Sequence, residues 1–214
     1  MTVRIIIADD HPLFRSALIQ TIGNFSQLQQ DIECISCNSL EEVHSCLESD
    51  VDPDLVLLDL HMPGTNGFAG LVNLRGCFPE IPIAMISGDD NPKVVSHAEL
   101  LGAIGFLSKS LDASQLETVI GGLLQGQPWF DKSNSEEDDE LQEIARRVAS
   151  LTPHQFRVFS MLSQGMLNKQ IAFELDITET TVKSHVTAIL RKLGLRKRTE
   201  VILLSQRFET PVED

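Results

Sequence analysis

The chain has 214 residues, 42% of them hydrophobic and 22% charged. That is the profile of a folded protein rather than a disordered one, with room for one large domain or two small ones. No apolar run nears the ~18 residues needed to cross a bilayer, so no membrane partner is expected. The apolar stretch before Asp9 and Asp10 is too short for a signal peptide, which predicts a cytoplasmic protein. The net charge is −14, which as an average argues against nucleic acid.

Arg4–Ala8 is a short aliphatic run that predicts a first strand. Pro12–Ile22 carries Leu13, Phe14, Ala17, Leu18 and Ile22 at helical spacing. Ile32–Ser36 is strand-like. Ser39 then predicts a helix cap, with Glu42 three residues on completing a capping box. Leu40, Val43 and Leu47 follow at helical spacing. Leu55–Leu58 is continuously apolar, as a strand buried on both faces must be. A helix over Asn66–Cys77, a strand at Ile83–Ile86 and a helix over Pro92–Leu101 come next, the last ended by Gly102. Gly105–Leu107 predicts a fifth strand, and Asp112 caps a helix reaching Leu124. Five strands alternating with five helices predict an α/β fold, a parallel sheet covered on both faces. His11, His44 and His97 are read as surface or helix-flank residues.

Cys34 and Cys37 match C-x-x-C, the spacing of a redox pair or of half a zinc site. On a strand, residues three apart point to opposite faces, and no second pair completes a zinc site. With Cys46 and Cys77 they are expected to be reduced thiols.

In a parallel sheet of this kind the ligand site lies beyond the carboxyl ends of the strands. Asp9 and Asp10 follow the first strand, Asp59 ends the third, Ser87 the fourth, and Lys109 follows the fifth. Three clustered carboxylates repel one another unless a divalent cation offsets the repulsion. Oxygen ligands with room for water and phosphate oxygens suit Mg²⁺. A carboxylate can attack phosphorus to form an acyl phosphate, with the transferring group held by metal, ammonium and hydroxyl. Asp59 is the expected nucleophile, Asp10 the best direct metal ligand, Lys109 the counter-charge and Ser87 the hydroxyl contact.

Asp9-Asp10, Asp59-Leu60-His61-Met62-Pro63-Gly64 with Gly67, Ser87 and Lys109 together resemble the receiver domain of two-component response regulators. The resemblance covers residues 3–125. It implies a flavodoxin-like (βα)5 fold with Asp59 as phosphoacceptor and Mg²⁺ held by Asp9, Asp10, Asp59 and the backbone carbonyl of His61. It further implies that Phe106 is the aromatic whose position reports activation. His61 stands where many relatives carry Asn, a position that influences phosphoryl lifetime. Phe106 stands where Tyr is common, so no phenolic hydroxyl is present there.

Residues 131–150 read as an acidic linker, with Leu141, Ile144, Ala145 and Val148 predicting a short helix. The charge then changes sign. Residues 1–130 hold five Lys and Arg against seventeen Asp and Glu, whereas residues 151–208 hold nine against four. A basic module therefore ends an acidic chain. Its pattern is all helical. Thr152 caps the first helix, with Pro153 at its first position and Gln155 completing a capping box, and Gly165 ends it. Lys169–Leu175 is a second helix and Leu175-Asp176-Ile177 a tight turn. Thr178 caps a third helix stopped by Gly194, and Thr199 caps a fourth reaching Phe208.

The third helix has two faces. Val182, Val186, Ile189, Leu190 and Leu193 form an apolar stripe. Thr180, Lys183, Ser184, Thr187 and Arg191, with Thr181 beside them, form a polar one. His185 lies between the two faces and is read as packing. A short helix, a tight turn and a polar-faced helix make a helix-turn-helix, whose second helix enters the major groove of DNA. Lys can donate to guanine, and Ser and Thr suit several bases. Arg191, Lys192 and the run Arg196-Lys197-Arg198, with Lys197 foremost, suit phosphates.

Leu151-Thr152-Pro153, Asn168-Lys169-Gln170-Ile171-Ala172, Thr181-Val182-Lys183-Ser184-His185 and Lys192-Leu193-Gly194 resemble the LuxR-type DNA-binding domain. The expected organisation is a receiver at 1–130, a linker at 131–150 and a helix-turn-helix domain at 151–214. The whole chain resembles a NarL/LuxR-type response regulator. That implies a partner histidine kinase as phosphodonor, a homodimer when phosphorylated, double-stranded promoter DNA as target and RNA polymerase as a further partner. Val201, Ile202, Leu203 and Leu204 on the fourth helix are apolar enough for the family's dimer contact.

An aspartyl phosphatase is the rival reading, but those enzymes commonly carry a second Asp where His61 stands. Beyond self-phosphorylation and slow self-dephosphorylation, no enzymatic activity is expected. A regulator that ignores phosphorylation is the second rival. The charge asymmetry also predicts that the acidic receiver covers the basic DNA face when unphosphorylated.

Overall fold

The computed structural model describes residues 2–25, 31–49, 51–63, 67–130, 143–144, 146–148 and 150–206. The N-terminal half alternates β1 (Val3–Ala8), α1 (Pro12–Gly23), β2 (Ile32–Cys37), α2 (Leu40–Glu48), β3 (Leu55–Asp59), α3 (Ala69–Cys77), β4 (Ile83–Ser87), α4 (Pro92–Leu100), β5 (Gly105–Ser108) and α5 (Ala113–Leu124). The strands form one parallel sheet in the order β2-β1-β3-β4-β5. β3 and β4 are buried at every position, because helices cover both faces. Leu18 and Ile22 of α1 and Leu116, Val119, Ile120 and Leu123 of α5 pack on one face. Val43 of α2, Leu71 and Leu74 of α3, and Val94, Val95 and Ala98 of α4 pack on the other. Each fully buried Leu, Ile or Val contributes about 1.5–3 kcal/mol.

Trp129 adds a short parallel bridge along β5, which the sequence did not suggest. Its carbonyl accepts from the N–H of Phe106 at 2.8 Å, and its own N–H donates to Ile104 O at 3.1 Å. Cys34 and Cys37 do face opposite sides of the sheet, Cys34 against the α1/α5 core and Cys37 against the other. All four cysteines are free, and Cys37 Sγ lies 3.8 Å from Cys46 Sγ. Burial, with the neighbouring Cys46 adding to it, pushes the Cys37 thiol up to about 12.

Local caps follow the expected chemistry with two differences. Asp112 with Gln115 and Thr152 with Gln155 form complete capping boxes. Ser39 accepts from the N–H of Glu42 at 3.2 Å, but the Glu42 carboxylate bonds the N–H of Asn38 instead of Ser39. The expected reciprocal box is therefore half made.

The C-terminal half has α6 (Pro153–Ser163), α7 (Asn168–Glu174), α8 (Glu179–Leu193) and α9 (Arg198–Gln206). Asp176 in the turn between α7 and α8 has φ 50°, the one non-glycine residue with positive φ among those described. An Asp tolerates that left-handed conformation better than most residues. Thr199 lies inside α9 rather than capping it. The Glu200 carboxylate accepts from the N–H groups of Arg196 and Lys197, at 2.7 and 3.2 Å, and the helix starts two residues earlier than a Thr199 cap would place it. Of the proposed linker helix, residues 143–144 and 146–148 are helical. Leu141, Ala145 and Phe208 lie outside the described residues.

The two halves meet along α3 and α6. Gly76 on α3 is so close to Phe156 on α6 that a Cβ there would sit 1.7 Å from the ring's Cδ1. Asn73 Nδ2 donates to Ser160 Oγ at 3.4 Å, and His44 Nε2 lies 2.5 Å from Asn73 Oδ1. A cavity of about 170 Å³ remains beside the contact, lined by Val72, Arg75, Leu101, Val148 and Leu151.

Candidate functional site

The parallel register decides which strand ends meet. Ala8 pairs with Leu58, Asp59 with Ile86 and Ser87 with Ser108. The residues that follow, Asp9, Asp10 and Lys109, therefore gather around Asp59 at one edge of the sheet. Asp9 is fully buried and Asp59 3% exposed. Lys109 Nζ bridges them, 2.9 Å from Asp59 Oδ2 and 2.7 Å from Asp9 Oδ2. The ammonium also lies 4.7 Å from the centre of the Phe14 ring. Burial works against the charged Lys109, but the two carboxylates outweigh it and raise its pKa above the ordinary lysine value.

Ser87 is fully buried, and its Oγ accepts from the N–H of Asp89 at 3.1 Å. Its carbonyl accepts from the N–H of Lys109 at 2.8 Å, which ties β4 to the lysine's own backbone. Phe106 is 3% exposed, one residue after Gly105, where a Cβ would meet Leu123 at 2.8 Å. His61 is exposed, next to the buried Leu60 and Met62. Gly64 lies outside the described residues.

The donor set suits a hard divalent cation. Asp9 Oδ2 is buried and pairs with the Lys109 ammonium at 2.7 Å. Asp10 Oδ1 is buried without a hydrogen bond, with His11 Nδ1 2.8 Å away. A buried carboxylate oxygen left this way costs free energy unless a cation takes it up. His11 is exposed at the start of α1, as a flank residue is expected to be, but the sequence reading did not place it among the site residues. Its adjacency to Asp9-Asp10 was the available signal.

On α8, Val182, Ile189 and Leu193 are buried, and Val186 and Leu190 pack against them. Thr180, Thr181, Lys183, Ser184, Thr187 and Arg191 are all exposed. Ser184 Oγ donates to Thr180 O and Thr187 Oγ1 to Lys183 O, at 3.1 and 2.9 Å, leaving both hydroxyls free to accept. Lys197 is exposed as well. Two of the basic residues are occupied. Lys192 Nζ donates to Ser150 O at 2.7 Å, and Arg198 bonds Asn168 Oδ1 at 2.9 Å and the carbonyl of Met166. On α9, Val201 and Leu204 are buried, so only Leu203, with the half-buried Ile202, is left outward-facing.

The receiver half docks on α6 and leaves the polar face of α8 exposed. The expected electrostatic covering of that face is therefore not what this arrangement shows. The apolar fit of Phe156 into the Gly76 notch sets the docking, and charge attraction at the surface is weak by comparison.

Comparison with known proteins is decisive at this point. Residues 5–121 match the family model described as response regulator receiver domain. Residues 149–205 match that of the bacterial regulatory proteins of the luxR family. The chain is a LuxR-type response regulator. It is 39% identical to the glycerol metabolism activator of Pseudomonas putida, over 94% of this chain and 93% of that protein. It is 33% identical to the nitrate/nitrite response regulator protein NarL of Escherichia coli strain K12, over 92% and 91%. A solved structure of the RcsB response regulator of Salmonella typhimurium aligns over 96% of this chain and 98% of that one, with a TM-score of 0.52 at 21% identity, a likeness of fold. The regulator thus joins a receiver to a DNA-binding domain that regulates transcription. Among the described residues, no helix is long and apolar enough to cross a membrane.

Proposed function

We propose that this regulator switches transcription by accepting a phosphoryl group on Asp59. The observation that carries the reading is the bridge of Lys109 Nζ between Asp59 and Asp9 at the strand ends. An Asp59 carboxylate oxygen attacks phosphorus of a phosphohistidine on a partner histidine kinase. The P–N bond breaks and the imidazole leaves with the electron pair. Lys109 moves from pairing two carboxylates to pairing the transferred group, whose charge it offsets. Asp9, Asp10, Asp59 and the His61 carbonyl are the residues that would hold Mg²⁺, which when bound neutralises charge on the phosphoryl oxygens. The Ser87 hydroxyl exchanges its bond from Asp89 N–H for a contact to the phosphoryl group, and Phe106 follows the vacated space.

The output is dimeric binding to promoter DNA. Lys183, with Thr180, Thr181, Ser184 and Thr187, reads base edges, while Arg191 and Lys197 hold phosphates. Leu203 is the apolar residue on α9 left to meet a second copy. The functional units are a receiver at 1–130, a linker at 131–150 and a DNA-binding domain at 151–214. The protein acts in the cytoplasm and turns over no external substrate beyond its own phosphorylation and slow dephosphorylation.

Acetyl phosphate with Mg²⁺, followed by intact mass, tests the acceptor. The wild type should gain one phosphoryl group and Asp59→Asn none. Undiminished labelling of the folded variant overturns the assignment.

A further inference from the structure

His11 sits closer to the acidic cluster than any role as a flanking residue requires. Its Nδ1 lies 2.8 Å from Asp10 Oδ1, 3.3 Å from Asp9 Oδ1 and 3.8 Å from Asp59 Oδ2. One ligand atom from each of the four residues falls within 4.8 Å of the others. Around an octahedral ion with bonds of about 2.1 Å, neighbouring ligands are about 3.0 Å apart and opposite ones about 4.2 Å. The nitrogen's three distances fall near or within that interval, so a cation could join it to the carboxylates with little movement.

The backbone holds the ring there. His11 is the N-cap of α1, with φ −88° and ψ 102°, but its side chain makes no capping hydrogen bond. Pro12 follows and keeps the residue before it out of the helical region. The N–H of His11 donates to Asp9 Oδ1 at 2.6 Å, which ties the imidazole's own backbone to a carboxylate of the cluster. Asp10 Oδ1, the nearest oxygen to the ring, is buried and accepts no hydrogen bond.

We infer that His11 Nδ1 is a direct ligand to a divalent transition-metal ion in the phosphoacceptor pocket, adding one imidazole to the oxygen ligands named above. Carboxylate and water suit Mg²⁺, whereas an imidazole adds affinity for Co²⁺, Ni²⁺ or Zn²⁺. Mg²⁺ binds through the oxygens and leaves the imidazole aside. Co²⁺ and Ni²⁺ recruit it. His11 thereby makes the choice of cation in this receiver depend on more than its three acids. The inference rests on the pocket being a cation site, as proposed above.

The experiment measures binding of Co²⁺ and of Mg²⁺, each alone, to the full chain, its His11→Ala and His11→Gln variants, and Asp10→Asn. Because the His11 side chain caps nothing, its removal leaves α1 intact, which circular dichroism checks. Loss of even an outer-shell partner costs metal affinity about 10- to 100-fold. Both His11 variants should therefore bind Co²⁺ at least about tenfold more weakly, with Mg²⁺ affinity within about twofold. The Co²⁺ form of the wild type should show an imidazole N–H proton resonance shifted far downfield, missing from His11→Ala. Unchanged Co²⁺ affinity, equal losses for both ions, or no such resonance overturns the ligand role of His11. Failure of the wild type to bind either ion, or full binding by Asp10→Asn, overturns instead the reading of the pocket as a cation site.

Discussion

Replacing Gly76 by leucine should undock the DNA-binding half from the receiver without weakening the receiver itself. The three atoms nearest a Cβ at this position all belong to Phe156, Cδ1 at 1.7 Å, Cγ at 2.5 Å and Cε1 at 2.7 Å. Carbon contacts are optimal at about 3.5–4.0 Å, so the ring or the helix must retreat by roughly 2 Å. Turning the ring about its own axis does not relieve the overlap, because Cγ lies on that axis. The neighbouring cavity could accept a displaced ring, but the rest of the leucine side chain competes for the same space. Overpacking of this kind costs about 1–3 kcal/mol, which corresponds to about 5- to 150-fold less docked form. Within α3 the change has the opposite sign, since leucine is favoured over glycine in a helix by somewhat less than the ~0.8–1 kcal/mol that separates alanine from glycine. Small-angle scattering of the full chain should show a larger radius of gyration, and residues 131–142 should be cut faster by protease. Adding Phe156→Ala to Gly76→Leu exchanges large for small across the seam and should restore compactness, a coupling that a double-mutant cycle measures. Unchanged scattering and protease resistance in Gly76→Leu would refute the seam as the docking contact.

Lys109→Met should destabilise the fold at neutral pH by leaving Asp9 and Asp59 without their counter-charge. The folded pKa of Lys109 is raised, so its contribution is full below the ordinary value of 10.5 and fades as pH rises through the folded value. Urea titrations carried into the alkaline range above pH 10.5 should show the gap between wild type and variant narrowing as pH rises, and a constant gap refutes the assignment. Lys183→Ala should cost about 1–3 kcal/mol on specific DNA and relax sequence preference. Lys197→Ala should instead weaken binding to all sequences and lower the salt slope by about one. Equal loss on specific and random DNA in Lys183→Ala would move the reading face elsewhere. Cys37, buried and with its thiol pushed to about 12, should be the last cysteine alkylated by iodoacetamide at pH 8, because the thiolate is the reacting species. Peptide mapping that finds it labelled first contradicts its burial.

Much of this protein is decided within stretches of a few residues, and those parts were legible in the sequence. The apolar run Leu55–Leu58 predicts a strand covered on both faces, and Asp112 with Gln115 or Thr152 with Gln155 specifies a helix start. Alternation of such elements leaves a parallel sheet as the economical arrangement, and its carboxyl edge then collects Asp9, Asp10, Asp59 and Lys109. The division of α8 into Val182, Ile189 and Leu193 inside and Thr180, Lys183 and Thr187 outside follows from helical periodicity alone. Contacts between residues far apart in the chain carry no such local signature. Lys192 and Arg198 read as free cations until the fold brings them to the carbonyls of Ser150 and Met166. His11 reads as a flank residue until the ends of β1 and β3 bring Asp59 to it. Gly76 and Phe156, eighty positions apart, meet because a glycine removes the one side chain that would hold α3 and α6 apart. Only the tertiary structure decides which half-surfaces are spent on each other, since that depends on shape complementarity rather than on charge, and the exposed face of α8 is its result.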